Sequence, residues 1–399
     1  MNTQNQRIQV VDAIRGFSLL GILIANMLIF QYGIMGKDEM DFYSVSAFDK
    51  GVHTFLKIAV EGSFMPIFAF LFGYSLIKMK ESLEAKGLKP KRNLARRYIL
   101  LIILGALHST FLWEGDILLS YGIMGFFLLM FMNRKKKTLV IWGIILLILT
   151  SFMGLGMKEP VPLEDETRMA EYVKDTYAVY GSGTYEEIKY HRNNVDPLGL
   201  PDYIYLIMFI IMPFVTAPLF LFGMYAAKNQ EFHDVKNKSK FYFKYGIMIT
   251  ILGLLMKGGV YLFPDLGWLG MLNMLGANIL SLGYICLFAS IYSLMHNSLL
   301  FKAFESVGKL SLSNYLLQTV ICTTIFYSYG FGLFGKLGVL YGVLLSLFIY
   351  GCQLIMSYWY LKIFKTGPVE KLMRICTYLT LSGRPKVKKQ PDETYVRIV

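Results

Sequence analysis

The sequence predicts an all-α, polytopic transmembrane bundle of about ten spans with both termini on the cytoplasmic side. Composition, the spacing of apolar runs and the charge of the connecting segments each point to it. The 399 residues are 55% hydrophobic and only 17% charged. The apolar residues fall in repeated runs of about twenty, the length a helix needs to cross ~30 Å of hydrocarbon. Connecting segments alternate between strongly basic and acidic or neutral, the asymmetry that membrane insertion produces. The formal charge of +13 is therefore read as loops facing one side, and no nucleic-acid partner is expected.

The spans fall at roughly 14–34, 54–77, 98–113, 117–132, 138–156, 203–226, 245–263, 268–295, 312–334 and 337–361. The first run is too long for a cleavable signal, so the N-terminus is expected to remain. Basic knots at 78–97, 133–137, 228–244 and beyond 362 mark one side, expected to be cytoplasmic, while 37–53 carries Asp38, Glu39, Asp41 and Asp49. Spans three and four are short and joined by Trp113-Glu-Gly-Asp116. That turn either dips into a cavity with its two carboxylates or sits in solvent with Trp113 as an interface anchor. The 157–202 segment is an extracytoplasmic loop with a short helix near 167–180, expected to cap an outward opening. Residues 1–380 thus form one helical domain, and 381–399 a basic tail expected to be disordered.

Several polar residues lie where burial would be costly without partners. Asn26 is about 11 residues beyond Arg15 in the first span, so ~16 Å deeper. His108 lies ~8 Å, and Glu61 ~10 Å, from the outer ends of their spans. An imidazole, a carboxylate and an amide in one layer would supply a general base and an oxyanion donor: His108 as base, Glu61 or Asp116 orienting it, Asn26 donating. At the inner level, Arg7, Asp12, Arg15, Arg96 and Arg97 with Asn314 and Gln318, four apart on one helix face, form a candidate pocket for a phosphate-bearing ligand. Cys286, Cys322, Cys352 and Cys376 lack metal-ligand spacing, and no metal is expected. The stretches ending Phe-Leu-Phe-Gly73 and Phe-Leu-Phe-Gly223 resemble each other and carry Pro66, Pro213 and Pro218, read as bends for packing.

Asp12-Ala-Ile-Arg-Gly16 with Asn26, Leu71-Phe-Gly73, Gly105-Ala-Leu-His108 running on to Trp113-Glu-Gly-Asp-Ile-Leu-Leu-Ser-Tyr-Gly122, Leu312-Ser-Asn-Tyr-Leu-Leu-Gln-Thr319 and Gly367-Pro-Val-Glu370 together resemble the YeiB-type bacterial membrane family, defined by a domain of unknown function. An arginine, then Asp-x-x-Arg-Gly, then a polar residue deep in the first span also resembles the integral membrane acyltransferases of the heparan-glucosaminide N-acetyltransferase and O-antigen acetylase type. That resemblance implies transfer of an acyl group from cytoplasmic acyl-CoA, acetyl-CoA first among donors, to a hydroxyl or amine of a sugar, envelope or lipid-linked acceptor, using a histidine near the membrane. His53 would match that histidine by its place after the first span, whereas the YeiB-like hairpin points to His108. The leading expectation is an acyl-CoA-dependent acyltransferase of the bacterial inner membrane. The alternative is a transporter or flippase of a small anionic or lipid-linked solute. The bilayer and a small-molecule or glycan acceptor are the expected partners, and a homodimer is one expectation for assembly.

Overall fold

A computed structural model describes residues 8–155 and 163–385. Arg7, and the tail beyond residue 385, lie outside them. The described residues contain helices and turns but no strand. In chain order the helices are α1 (Gln9–Tyr32), α2 (Ala47–Ala59), α3 (Phe64–Glu84), α4 (Pro90–Phe111), α5 (Leu118–Leu129), α6 (Lys136–Ser151), α7 (Leu163–Ser182), α8 (Tyr185–Asn194), α9 (Asp202–Lys228), α10 (Ser239–Leu262), α11 (Leu269–Met295), α12 (Leu299–Lys309), α13 (Ser311–Phe326), α14 (Val339–Ile363) and α15 (Pro368–Tyr378).

Every predicted span coincides with a helix, with differences that have physical causes. Among the described residues, eight helical stretches are long and apolar enough to cross a membrane, counting Ala47–Glu84 as one. The other two predicted spans correspond to α5 and α13, only 12 and 16 residues long. Predicted span two begins inside α2 and breaks at Gly62, which adopts a positive φ of 71°. That turn is held from α10, because Lys257 Nζ donates to the Glu61 carbonyl at 2.5 Å and to Ser63 Oγ at 3.1 Å. Lys257 is itself buried. Helix α4 starts earlier than predicted because Pro90, with no N–H to leave unpaired, suits a first helical turn even in a basic segment.

The first helix is the central pillar, with a larger buried share than any other candidate span. Large apolar side chains of α6 and α10, including Ile144, Ile148, Leu252 and Leu255, face outward as a lipid-facing surface must. The basic segments meet at one end: Lys228 Nζ donates to the Arg134 carbonyl at 2.5 Å, and Lys136 Nζ to Asn229 Oδ1 at 3.0 Å.

The two similar stretches of α3 and α9 pack on each other reciprocally. A Cβ on Gly73 would lie 2.0 Å from the Phe220 carbonyl oxygen, and one on Gly223 would lie 1.9 Å from that of Phe70. Bare backbone on both sides is what permits this crossing. Gly16 and Gly308 bring α1 and α12 together in the same way, against the carbonyls of Phe304 and Asp12. Gly223→Ala is expected to cost about 1–3 kcal/mol through overpacking. A lower midpoint in thermal unfolding of the purified protein checks it.

Candidate functional site

At the end of the bundle away from the basic segments, α4 runs into the tight turn Trp113–Asp116 and returns as α5. Gly105 makes the return possible, since a Cβ there would stand 2.1 Å from the Leu119 amide nitrogen and 2.8 Å from Asp116 Oδ2. The closeness lets Asp116 do two things. Its Oδ2 accepts the Leu119 N–H at 2.8 Å, capping the first turn of α5, and its Oδ1 accepts from His108 Nδ1 at 2.8 Å. Both side chains are 2% exposed. Because the carboxylate accepts, an imidazole hydrogen sits on Nδ1, which leaves Nε2 as the nitrogen able to carry a lone pair. That Nε2 is buried without a partner.

Trp113 and the Asp116 side chain are covered by protein, so Trp113 is no interface anchor, but neither Glu114 nor Asp116 lines the cavity described below. Trp113 is fully enclosed and stacks on Phe30 of α1, ring centroids 4.1 Å apart. Tyr315 of α13 closes the other side of the imidazole at 5.6 Å between centroids. Its hydroxyl accepts the Ile117 N–H at 3.3 Å and donates to the Gly115 carbonyl at 3.4 Å.

Beneath this cluster a cavity of about 520 Å³ opens toward the basic end. Tyr315, Ile117, Leu118 and Tyr121 line it above; Asp12, Arg15, Arg97 and Arg374 are among its residues below. Tyr315 therefore touches both the cavity and the imidazole. On α1, residues 11, 12, 15 and 19 line the cavity and residue 30 meets Trp113. At 3.6 residues per turn these five and Asn26 share a stripe about 100° wide. Asn26, half-buried, thus occupies the stretch of that stripe between cavity and Trp113. On α4, Leu94, Arg97, Tyr98 and Leu101 line the cavity, and His108 continues their stripe within about 100°.

The remaining sequence candidates divide. Asp12 and Arg15 pair at 3.0 Å, and Arg15 Nη2 donates to Ser75 Oγ at 2.7 Å, fixing the guanidinium at the cavity wall. Arg97 lines the cavity, but Arg96 does not, because one helical step turns it away. Asn314 and Gln318 are not pocket residues. They join helices: Asn314 Nδ2 donates to Ser357 Oγ at 3.0 Å and Gln318 Nε2 to Gln353 Oε1 at 2.8 Å. Glu61 does not orient His108. The break after α2 places it in an ion-pair cluster with Lys37 and Lys57 instead. His53 belongs to the same cluster, its Nε2 donating to the Lys37 carbonyl at 2.9 Å. Arg7 lies outside the described residues. Sequence reading missed Tyr315, although it stands inside a quoted motif, and Arg374; the Pro at the start of α15 was the available helix signal.

Helices α7 and α8 cover the end of α4, whereas the cavity described above opens at the other, basic end and is lined by neither of them. Gly183 ends the first, and the Thr184–Glu187 capping box starts the second. They close over the end of α4 by supplying donors to its last carbonyls: Arg192 to Thr110 at 2.7 Å and Leu112 at 3.1 Å, Tyr185 to Phe111 at 2.8 Å. Under the cap, Tyr180 Oη donates to Glu114 Oε2 at 3.4 Å. Burial pushes the Glu114 carboxyl above the usual carboxylate range and the His191 imidazole below its own, so both favour their neutral forms. In the unfolded chain Glu114 titrates lower. Its contribution to cap stability is therefore complete below the ordinary carboxylate range and declines as pH rises through that range to the folded pKa. Glu114→Gln is expected to flatten this slope, measured as hydrogen exchange of Tyr185–Asn194 across pH.

Among comparisons with known proteins, the family described as "Protein of unknown function (DUF418)" matches residues 226–380. The protein YxaH of Bacillus subtilis (strain 168) is 31% identical over 399 residues, covering 96% of this chain and 97% of that one. The protein YeiB of Escherichia coli (strain K12) is 28% identical over 393 residues, 93% of this chain and 96% of that one. A 39.9 kDa protein encoded in the amylase 3' region of Bacillus acidopullulyticus is 26% identical over 374 residues, 94% of each chain. No solved structure matches the chain.

Proposed function

The chain belongs to the DUF418 family, and we propose that within it this protein is a membrane acyltransferase whose general base is His108 Nε2. The observation that carries the reading is the buried His108–Asp116 pair, its Nε2 unpartnered, beside Tyr315 at the inner limit of a basic-rimmed cavity. Asp116 fixes the tautomer and would stabilise the imidazolium that forms on proton uptake. The cavity's 520 Å³ is in the range of sites that hold a drug-sized ligand, about 300–1,000 Å³.

In this reading an acyl-CoA enters from the basic end, which faces the cytoplasm of a bacterial inner membrane, with its phosphates toward Arg15 and Arg97. An acceptor hydroxyl or amine attacks the thioester carbonyl carbon while Nε2 takes its proton. Asn26 donates to the carbonyl oxygen as charge gathers there. The carbon–sulfur bond breaks, and the imidazolium returns the proton to the leaving thiolate. Base, donor amide and anion-binding residues thus lie along one path through the bundle.

Purified protein incubated with radiolabelled acetyl-CoA and an envelope extract is expected to move label into an acceptor or to water, and His108→Ala is expected to stop it. Absence of acyl-CoA binding by the wild type would end the reading. A transporter reading draws on a different observation, the buried Lys257 beside the Lys37–Glu61–Lys57 cluster, since intramembrane ionisable groups commonly carry coupling ions. Gradient-driven uptake into proteoliposomes without a covalent product would favour it.

A further inference from the structure

The wall of the cavity nearest its basic mouth is made by the C-terminal helix. Glu370, Met373, Arg374, Thr377 and Tyr378 line it, and their spacing of three and four makes them one complete face of α15. The linker before α15 contributes Lys365 and Thr366. Charge is unbalanced there. Six cationic side chains line the cavity against three carboxylates, Asp12, Glu81 and Glu370.

Each of those carboxylates is already engaged. Asp12 holds Arg15 at 3.0 Å, Glu81 holds Lys78 at 3.0 Å, and Glu370 accepts the Leu312 and Ser313 amides at 2.9 and 3.0 Å and the Ser313 hydroxyl at 2.6 Å. Among the described residues no carboxylate forms an ion pair with Arg97, Lys365 or Arg374. Arg97 on α4 and Arg374 on α15 are close enough for each to feel the other's charge, with Glu370 the nearby opposing charge. Glu370 sits on the same helix as Arg374 and offsets the like charge, so the two guanidinium groups line one cavity wall without an ion-pair partner of their own. A polyanion between them adds two attractions, and guanidinium groups bind phosphate oxygens in bidentate fashion.

We propose that Arg97, Lys365 and Arg374 form a clamp for a phosphoanhydride or similarly multivalent phosphate group, and that α15 is the jaw that closes on it. Glu370, anchored on the first amides of α13, is the pivot. This deepens the acyl-CoA reading by naming residues and a moving wall that it lacks, and rests on it only for which phosphate compound is the natural occupant.

The test is hydrogen exchange of α15 in the full chain in nanodiscs, with inorganic pyrophosphate as probe and sodium chloride at matched ionic strength as control. Pyrophosphate is expected to slow the amides of Lys371–Thr377 at least several-fold, and matched salt much less. Arg374 is exposed, so Arg374→Gln leaves the core intact. It is expected to abolish the pyrophosphate response. Unchanged α15 exchange with pyrophosphate, an equal effect of matched salt, or a full response in Arg374→Gln would overturn the clamp. A pyrophosphate response in a protein that neither binds nor consumes acyl-CoA would leave the clamp standing and remove the acyltransferase reading. Acyl transfer with no response of α15 would do the reverse.

Discussion

His108→Asn is expected to lower acyl transfer by about 10²–10⁴-fold, the usual contribution of a positioned general base, with folded yield near that of wild type. Asn is the sharper substitution because its amide N–H can take the place of Nδ1–H toward Asp116, so no buried carboxylate loses its partner. Alanine would strand that carboxylate, at a cost of several kcal/mol in a buried pair, and would mix folding with catalysis. Asp116→Asn makes the complementary case. Its amide can still meet the ring, but it invites the wrong tautomer and no longer stabilises an imidazolium, so a loss of similar order is expected. Steady-state rates with acetyl-CoA, beside size-exclusion profiles of each variant, separate the two effects. Unchanged rates in His108→Asn would remove the histidine from the chemistry.

Gly105→Val should disable the same site without touching any reacting group. The added side chain would start 2.1 Å from the Leu119 nitrogen and 2.8 Å from Asp116 Oδ2, and backbone cannot yield as a flexible side chain does. Either α5 moves away, taking Asp116 out of reach of His108, or the hairpin fails to form. A cost of about 3 kcal/mol or more is expected, at the upper end of overpacking penalties, together with loss of transfer. Thermal unfolding of the purified variant and its turnover are the two readings; a variant as stable and as active as wild type would contradict the placement of α5 against α4.

Much of the fold could be read from residue patterns. Apolar runs located the membrane-length helices, because a bilayer imposes length directly on the sequence. Short-range chemistry in the site was equally legible: His108 and Asp116 are eight residues apart across one turn. Glu61 was misplaced because depth counted along an assumed straight helix ignores the break at Gly62, which is held open by Lys257 from a distant helix. Asn314 and Gln318 have the right spacing for a pocket wall but satisfy one another's neighbours instead, and spacing alone does not say which helix lies opposite. Arg374 illustrates the same limit from the other side, since only tertiary packing brings the C-terminal helix to the cavity.

The most direct test of the central claim is an experimental structure with a non-transferable acyl-CoA analogue whose sulfur is replaced by methylene. Its phosphates are expected among Arg15, Arg97 and Arg374, and its carbonyl end beside Tyr315, within about 3–4 Å of Asn26 or His108 Nε2. An analogue bound outside this cavity, or one seated in it with the carbonyl pointing back toward the basic mouth, would contradict it.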